Sequence, residues 1–190
     1  GQQMDMDFEA REGVSVAEHI RMIELKTASL FVGAVSMGAT VGGASAAELE
    51  HLREFALQFG VAFQIQDDLL DSYGDQRLGK AVGGDILEGK KTFLHITAAA
   101  AIEAGSAGSA AADHTALADT HRDPALAPEQ KIARVLDIYD RHGVRAATEK
   151  EIALRFAAAT AALDALSGTV SAELLGELKE FAISQLYRTK

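Results

Sequence analysis

The chain has 190 residues, of which 48% are hydrophobic and two are proline, so it can bury a large apolar core. A net charge of −10, without a long basic cluster, argues against a protein that binds nucleic acid through its phosphates. The absence of cysteine excludes disulfides and thiolate catalysis, so any chemistry must use carboxylates, hydroxyls, amines or metal ions.

The apolar residues recur at helical spacing along almost the whole chain, and no run alternates strictly as a strand would. We therefore predict an all-α helical bundle. The first long helix begins near Val16, after Ser15 as its cap with Glu18 three residues later, and continues toward Gly42. The next long helix starts after Ser45 and carries a run of aspartates.

Residues 74–85 read as a Gly-rich, charged loop, and a helical composition resumes from Ile86 to Glu103. Residues 105–123 are rich in Ala, Gly and Ser and form either an exposed helix pair or a loop. Three further helices are predicted at Pro128–Arg141, Val144–Leu166 and Ala172–Tyr187. We expect residues 1–190 to form a single all-α domain.

Residues 27–47 are uncharged over the length of a membrane span. Glycine, serine and threonine make this segment only mildly hydrophobic, and charged helical sequence flanks it, so we interpret it as a closely packed helix of a soluble bundle. The chain opens GQQMDMDFEAREG, without the basic and apolar regions of a signal peptide. We expect no membrane span and a cytoplasmic location.

The segment FQIQDDLLD (Phe63–Asp71) places three carboxylates in an otherwise apolar helix. Asp67 and Asp71 are four residues apart and share a helix face, with Asp68 beside them. The same stripe leads back to Phe63, so the face changes from aromatic to acidic. Two interpretations are open: a solvated acidic helix end, or a carboxylate rim around an apolar pocket that binds Mg²⁺.

Two lysines flank the Gly-rich loop that follows, Lys80 and Lys90. An acidic cluster that holds a divalent cation beside lysines suits a diphosphate, because the metal and the ammonium groups together neutralise the phosphate oxygens. Each lysine taken alone could equally be a solvent-exposed charge.

FQIQDDLLD and the following GDQRLGKAVGGDILEGKKT resemble the second aspartate-rich motif and lysine loop of the trans-isoprenyl diphosphate synthases, which are all-α enzymes. Upstream, GQQMD resembles the GQ-x-x-D helix of that family, and KTASLF resembles its KT motif. The four motifs occur in the family's order. The resemblance covers about the latter half of the family's fold, the isoprenoid synthase bundle, and a second D-D-x-x-D is absent from these residues.

The resemblance implies Mg²⁺ as the cofactor, bound by Asp67 and Asp71 with Asp68 in support. It implies that three lysines lie near the diphosphate of the allylic substrate: Lys26, Lys80 and Lys90. It implies that two polar side chains face the carbocation: Thr27 and Gln64. Three further residues would line or support the cavity: Gln2, Asp5 and Phe63.

The implied activity is the head-to-tail condensation of isopentenyl diphosphate with an allylic diphosphate, giving a short-chain product such as farnesyl or geranylgeranyl diphosphate. Because the first aspartate-rich motif is absent, we expect these 190 residues alone to be inactive. The resemblance favours a homodimer. A noncatalytic subunit of a heteromeric prenyl synthase is one alternative. A class I terpene cyclase is another, although D-D-L-L-D stands where cyclases usually have N-D-x-x-S/T-x-x-x-E.

Overall fold

The computed structural model describes residues 1–11, 13–74, 82–105 and 110–186. Within these ranges the regular structure is helical, as predicted, apart from an isolated bridge between Ser167 and Val170. The α-helices are α1 (Gln2–Ala10), α2 (Val16–Ile23), α3 (Ser29–Val41), α4 (Ala46–Tyr73), α5 (Gly84–Glu88), α6 (Phe93–Ala104), α7 (Ala110–Asp119), α8 (Pro128–Arg141), α9 (Val144–Asp164) and α10 (Ala172–Leu186). A π-helical turn (Glu24–Ala28) joins α2 to α3, and a 3₁₀ turn (Thr120–Arg122) follows α7.

Two capping boxes fix where the long helices begin. Ser15 Oγ accepts the Glu18 N–H at 3.2 Å, and Glu18 Oε2 accepts the Ser15 N–H at 3.0 Å, which confirms the predicted start of α2. Ser45 and Glu48 make the same reciprocal pair, at 3.3 and 2.8 Å, before α4. Each box satisfies backbone donors that would otherwise have no partner at the start of a helix.

The predicted bounds near the C-terminus are largely confirmed. Helix α8 begins and ends where it was predicted, and α9 ends at Asp164, two residues before the predicted end. Ser171 Oγ accepts the Leu174 N–H at 3.3 Å, so Ser171 caps α10 as expected. Tyr187, the predicted last residue of that helix, lies outside the described residues.

The helical composition predicted from Ile86 to Glu103 is divided between two helices. The short helix α5 ends at Glu88, and the Gly89 that follows has a φ of +69°, a left-handed conformation that favours glycine. A Cβ there would also lie 2.5 Å from the His121 ring. Thr92 then caps a separate helix, α6, by accepting the His95 N–H at 3.3 Å.

The segment 105–123, predicted as a helix pair or a loop, contains α7 and the 3₁₀ turn in its described part. Its side chains are not all exposed, because Asp113, Leu117 and Thr120 are buried.

By its contacts the chain divides into two compact units. The first unit comprises Gly1–Gln2, Arg21–Gln66 and the chain from Glu151 onward, and the second comprises Gln3–Ile20 and Asp67–Lys150. The expectation of a single domain stays a prediction.

An apolar cluster from α4, α9 and α10 forms the core of the first unit. Phe59 lies within this cluster, and its ring lies 5.2–6.1 Å from four other phenylalanine rings. Helix α6 supplies much of the buried surface of the second unit and packs against α7 and α8. Large buried residues of this unit are Phe93, Leu94, Ile96, Ile102, Leu117, Val135, Ile138 and Tyr139.

Among the described residues, one helical stretch, Val16–Val41, is long and apolar enough to cross a membrane by length and composition alone. Only 17% of its most apolar window is buried in this structure. Glu18, Arg21, Glu24 and Lys26 lie in its first half, where burial in hydrocarbon would be costly. The expectation that the chain has no membrane span stays a prediction.

The buried carboxylate of Asp113 connects α7 to the end of α8. Its Oδ2 accepts a hydrogen bond from Arg141 Nη1 at 2.6 Å and lies 3.0 Å from His142 Nε2. These hydrogen bonds lower the pKa of the Asp113 carboxyl below its ordinary value of 3.8. A carboxyl with a lowered pKa stabilises the folded state above its ordinary pKa, and loses that effect as the pH falls through the folded value.

We therefore expect Asp113→Asn to lower the urea midpoint of unfolding at pH 7, because the ion pair is lost. The difference from the wild type should shrink as the pH falls from 3.8 through the lower pKa of the folded state, where the wild-type carboxyl also becomes protonated. Urea titrations at pH 7 and pH 3 measure this. Asp119→Asn, an exposed position on the same helix, is the matched control and should change neither midpoint. An equal Asp113→Asn penalty at both pH values would contradict the prediction.

Candidate active site

Thr27 and Gln64 lie 37 positions apart in the sequence and are joined by a hydrogen bond. Thr27 Oγ1 donates to Gln64 Oε1 at 2.9 Å, and both side chains are half-buried. The KT and FQ motifs therefore meet within the first unit. A hydroxyl that donates its proton keeps its two lone pairs, so Thr27 presents oxygen electron density to its surroundings.

The KT motif lies in the π-helical turn Glu24–Ala28, which periodicity did not predict. A π-turn contains one residue more than an α-turn and often occurs at functional sites. It shifts the face on which the following residues point. Within this turn Thr27 reaches Gln64, while Lys26 is exposed.

Gly60 lets the π-turn lie directly against α4. A Cβ at position 60 would lie 2.7 Å from the Cα of Ala28 and 3.1 Å from Cδ2 of Phe31, and Ala28 is fully buried. Gly60 is one helical turn before Gln64, so the close backbone contact and the Thr27–Gln64 hydrogen bond belong to the same helix interface. The sequence signal was an isolated glycine inside a helical pattern, which often marks a packing requirement.

Phe63 belongs to the aromatic part of the first unit's core. Its ring is 5.5 Å from the Phe31 ring and 6.1 Å from the Phe59 ring. The two remaining predicted cavity residues lie on α1, where Gln2 is exposed and Asp5 is half-buried.

Asp68 is a buried acceptor at the start of α6. Its Oδ2 accepts the Phe93 N–H at 3.0 Å, next to the Thr92 cap. A carboxylate in this position complements the partial positive charge of a helix N-terminus. Asp68 therefore has a structural contact that its place in the acidic motif did not reveal.

Asp71 is half-buried and holds the turn that leads into α5. Its Oδ2 accepts the Asp85 N–H at 3.0 Å, and its carbonyl oxygen accepts the Gly83 N–H at 2.6 Å. Gly83 has a φ of +85°, which glycine adopts without strain. A Cβ at Gly84 would lie 3.3 Å from Asp71 Oδ1, so small residues let the turn approach the carboxylate.

The pKa of Asp71 is raised, chiefly because its carboxylate is partly removed from water. The negative charges of Asp85 and Asp67 raise the pKa further, while the Asp85 N–H and Lys90 oppose the shift. Burial is therefore the main cause of the raised pKa, and the neighbouring carboxylates add to it.

Lys90 is the predicted diphosphate-binding lysine that the structure describes in this unit. Its Nζ lies 2.6 Å from Asp85 Oδ1 and 2.9 Å from Glu88 Oε2, and these hydrogen bonds raise its pKa. Half of its side chain is exposed, so an anion can reach the ammonium group. Lys80, the other predicted lysine of the loop, lies outside the described residues.

Within the described ranges, no three Asp, Glu or His side chains are placed to hold a metal ion by themselves. Mg²⁺ does not require such a cage, because proteins usually bind it through one or two carboxylates and the phosphate oxygens of a substrate. Asp67 and Asp71 are one helical turn apart, and each supplies the hard carboxylate oxygens that Mg²⁺ prefers. These donors fit Mg²⁺ bound together with a diphosphate.

The structure is that of an all-α protein. The first unit contains the hydrogen-bonded Thr27–Gln64 pair, and the second contains Asp71, Asp85 and Lys90. A family model described as polyprenyl synthetase matches residues 1–121. The chain belongs to the polyprenyl synthetase family.

Two relatives illustrate the extent of the sequence match. A geranylgeranyl diphosphate synthase of Methanosarcina mazei is 43% identical over 99 residues, which are 52% of this chain and 31% of the relative. A short chain isoprenyl diphosphate synthase of Methanocaldococcus jannaschii is 48% identical over 99 residues, which are 52% of this chain and 30% of the relative. The sequence match therefore spans less than a third of each relative.

Solved structures match nearly the whole chain. A geranylgeranyl pyrophosphate synthase from Corynebacterium glutamicum, complexed with isoprenyl diphosphate and magnesium, aligns with a TM-score of 0.86 at 27% identity. That alignment covers 99% of this chain and 51% of the other. Another geranylgeranyl pyrophosphate synthase gives a TM-score of 0.83 at 32% identity, with 100% and 56% covered. The chain therefore spans about half the length of these structural relatives.

Proposed function

We propose that these residues form the second aspartate-rich half of a trans-prenyl diphosphate synthase. The complete enzyme would condense isopentenyl diphosphate with an allylic diphosphate in a Mg²⁺-dependent reaction and release a short-chain product such as geranylgeranyl or farnesyl diphosphate. A homodimeric, cytoplasmic enzyme is part of this proposal. The observation that carries it is the Thr27–Gln64 hydrogen bond, because it joins two motifs of the family that are far apart in sequence.

In the proposed reaction the lysines bind the diphosphate of the allylic substrate. Lys26 and Lys90 are exposed cations of the first and the second unit, and the roles of Lys26, Lys80 and Lys90 are carried over by resemblance. Asp67 and Asp71 hold the Mg²⁺. When bound, Mg²⁺ supplies positive charge that neutralises the diphosphate and favours its departure.

The remaining residues act on the carbon skeleton. The oxygens of Thr27 and Gln64 stabilise the positive charge that develops on the allylic group as the diphosphate leaves. The isopentenyl double bond then attacks that group, and the resulting cation loses a proton to the released diphosphate. Phe63 and the rings around it keep water away from the cation, which water would otherwise capture.

The acidic site can be tested on the 190-residue chain without turnover. We expect isothermal titration calorimetry to show that inorganic diphosphate binds in the presence of Mg²⁺ and much more weakly without it. Asp67→Asn should weaken this binding at least about tenfold, which corresponds to about 1.4 kcal/mol. Its free energy of unfolding should be unchanged or higher by about 0.2–0.5 kcal/mol, because the repulsion between residues 67 and 71 is removed.

Asp119→Asn is the control for net charge and should bind like the wild type. Diphosphate binding that does not depend on Mg²⁺, or an Asp67→Asn variant with unchanged affinity, would count against the proposed site. A loss of binding accompanied by a loss of stability would not test the proposal, so urea unfolding is measured on the same samples.

A further inference from the structure

Tyr73, the last residue of α4, is anchored to α8 and α9. Its hydroxyl donates to Asp140 Oδ1, near the end of α8, at 2.8 Å. The guanidinium of Arg145, in the first turn of α9, lies 5.2 Å from the centre of the Tyr73 ring, in a cation–π contact. All three residues belong to the second unit, and Tyr73 is half-buried. The hydroxyl and the ring of Tyr73 therefore each have a partner.

The last turn of α4 carries Asp71 and depends on contacts from outside the helix. The last four carbonyl groups of an α-helix find no donor within the helix itself. Here the Leu70 carbonyl accepts the Gly74 N–H at 2.8 Å, and the Asp71 carbonyl accepts the Gly83 N–H at 2.6 Å. Helix ends fray where such contacts are weak. Because Tyr73 is only two residues after Asp71, anchoring its side chain limits fraying at the carboxylate.

Helix α8 also contacts the other side of the Asp71 turn. A Cβ at Gly83 would lie 2.7 Å from the Cγ1 and Cδ1 atoms of Ile132, so the Gly83 backbone lies directly against this α8 side chain. Helix α5, which begins at the next residue, packs against α8 as well. Ile132 and Asp140 are eight residues apart, which is about 12 Å along the helix. One helix therefore contacts the chain both where α4 ends and where α5 begins.

The contacts form a closed cycle that includes Asp71. The cycle runs from Tyr73 to Asp140, along α8 to Ile132, then to Gly83 and back to Asp71. We propose that Tyr73 and Asp140 are positioning residues, which hold the Asp71 carboxylate at the separation from α5 at which it binds Mg²⁺ and diphosphate. They act through Asp71 and not by contact with the ligand. This inference rests on the proposed function, because the ligand is the one proposed there.

Amide hydrogen exchange, measured by NMR on the 190-residue chain, tests the positioning. The Gly83 and Asp85 amides both donate to Asp71, so their exchange reports whether the turn stays formed. Tyr73→Phe keeps the aromatic ring and removes only the hydroxyl. We expect it to speed exchange of these two amides at least about fivefold, while the Ile96 amide, in α6 of the same unit, changes less than about twofold.

Substitutions of Asp140 separate its hydrogen bond from its charge. Asp140→Asn removes the negative charge but keeps an oxygen that accepts from the Tyr73 hydroxyl, so its exchange should match the wild type. Asp140→Ala removes the acceptor and should reproduce the effect of Tyr73→Phe. Asp137→Ala is the matched control, because this exposed carboxylate of α8 pairs with Arg141 of the same helix at 3.0 Å. It should leave the exchange of both turn amides unchanged.

The same variants are then compared in the calorimetric titration with Mg²⁺ and inorganic diphosphate. We expect Tyr73→Phe and Asp140→Ala to weaken binding at least about threefold, because residues that orient a metal ligand contribute to its affinity. Asp140→Asn and Asp137→Ala should bind like the wild type. Equal affinity for Asp140→Asn and the wild type would show that the hydrogen bond matters and the charge does not.

Three outcomes would overturn the proposal. The first is unchanged exchange at Gly83 and Asp85 in Tyr73→Phe. The second is faster exchange that extends equally to Ile96, which would indicate a general loss of stability. The third is faster exchange at the turn with unchanged diphosphate affinity. If the wild type shows no Mg²⁺-dependent binding, the proposed function fails, and the exchange comparison still decides whether Tyr73 positions Asp71.

Discussion

Replacing Phe59 by alanine is expected to lower the free energy of unfolding by about 4 kcal/mol. The side chain is almost fully buried, and its ring contacts those of Phe31, Phe55, Phe63 and Phe181. Its removal costs the transfer energy of the ring and leaves a cavity between three helices that cannot all close on it. Urea unfolding followed by circular dichroism measures the loss.

Phe181→Ala is the matched control, because this ring contacts Phe59 but is half-exposed. We expect it to cost about 1 kcal/mol. Equal costs at the two positions would show that Phe59 is not the centre of the first unit's core. If Phe59→Ala does not yield folded protein, the milder pair Phe59→Leu and Phe181→Leu can still be compared by their free energies of unfolding.

Gly60→Ala is the second substitution with a large expected effect, and the change adds a single methyl group. That methyl would lie 2.7 Å from a backbone atom of the buried Ala28, which cannot move like the end of a flexible side chain. Overpacking of this kind lowers the free energy of unfolding by about 1–3 kcal/mol. We expect about 3 kcal/mol here, because the added methyl group meets backbone atoms. We also expect faster amide hydrogen exchange in residues 24–28, since the π-turn must move away from α4.

Gly38→Ala is the control, because a Cβ there has open space around it. The same chemical change should stabilise the chain by about 0.5–1 kcal/mol, since alanine is the better helix former. If Gly60→Ala lowers the free energy of unfolding and Gly38→Ala raises it, the effect of close packing is separated from the effect of helix propensity. A stabilising Gly60→Ala would contradict the close contact between α4 and the π-turn.

Much of the helical architecture follows from local patterns. The Ser15–Glu18 box and the span of α8 were predicted correctly because a cap, a proline at the first helical position and an apolar period all act within a few residues. The break at Gly89 was missed because KKTFLHIT has a helical composition on its own. The left-handed φ of Gly89 and the His121 ring, 32 positions later, show why position 89 needs glycine.

In the candidate site, too, local patterns could be read from the sequence and contacts between distant segments could not. Residue types and spacing were enough to single out Asp67 and Asp71 as candidate ligands. The π-turn and the Thr27–Gln64 hydrogen bond depend on how two segments pack, and no local period encodes them. The involvement of Lys90 with Asp85 and Glu88 likewise depends on α5, a helix that sequence periodicity did not separate from α6.

The hydrogen bond from the Phe93 N–H to Asp68 distinguishes Asp68 from its neighbour Asp67. At position 68 the structure requires a short side chain with an acceptor oxygen, and asparagine could supply that oxygen. At position 67 the proposed role requires a negative charge, which asparagine cannot supply. Under the proposed function the two neighbouring aspartates therefore meet different physical demands, which are structural at position 68 and electrostatic at position 67. Amide substitutions would distinguish them, whereas alanine would damage both.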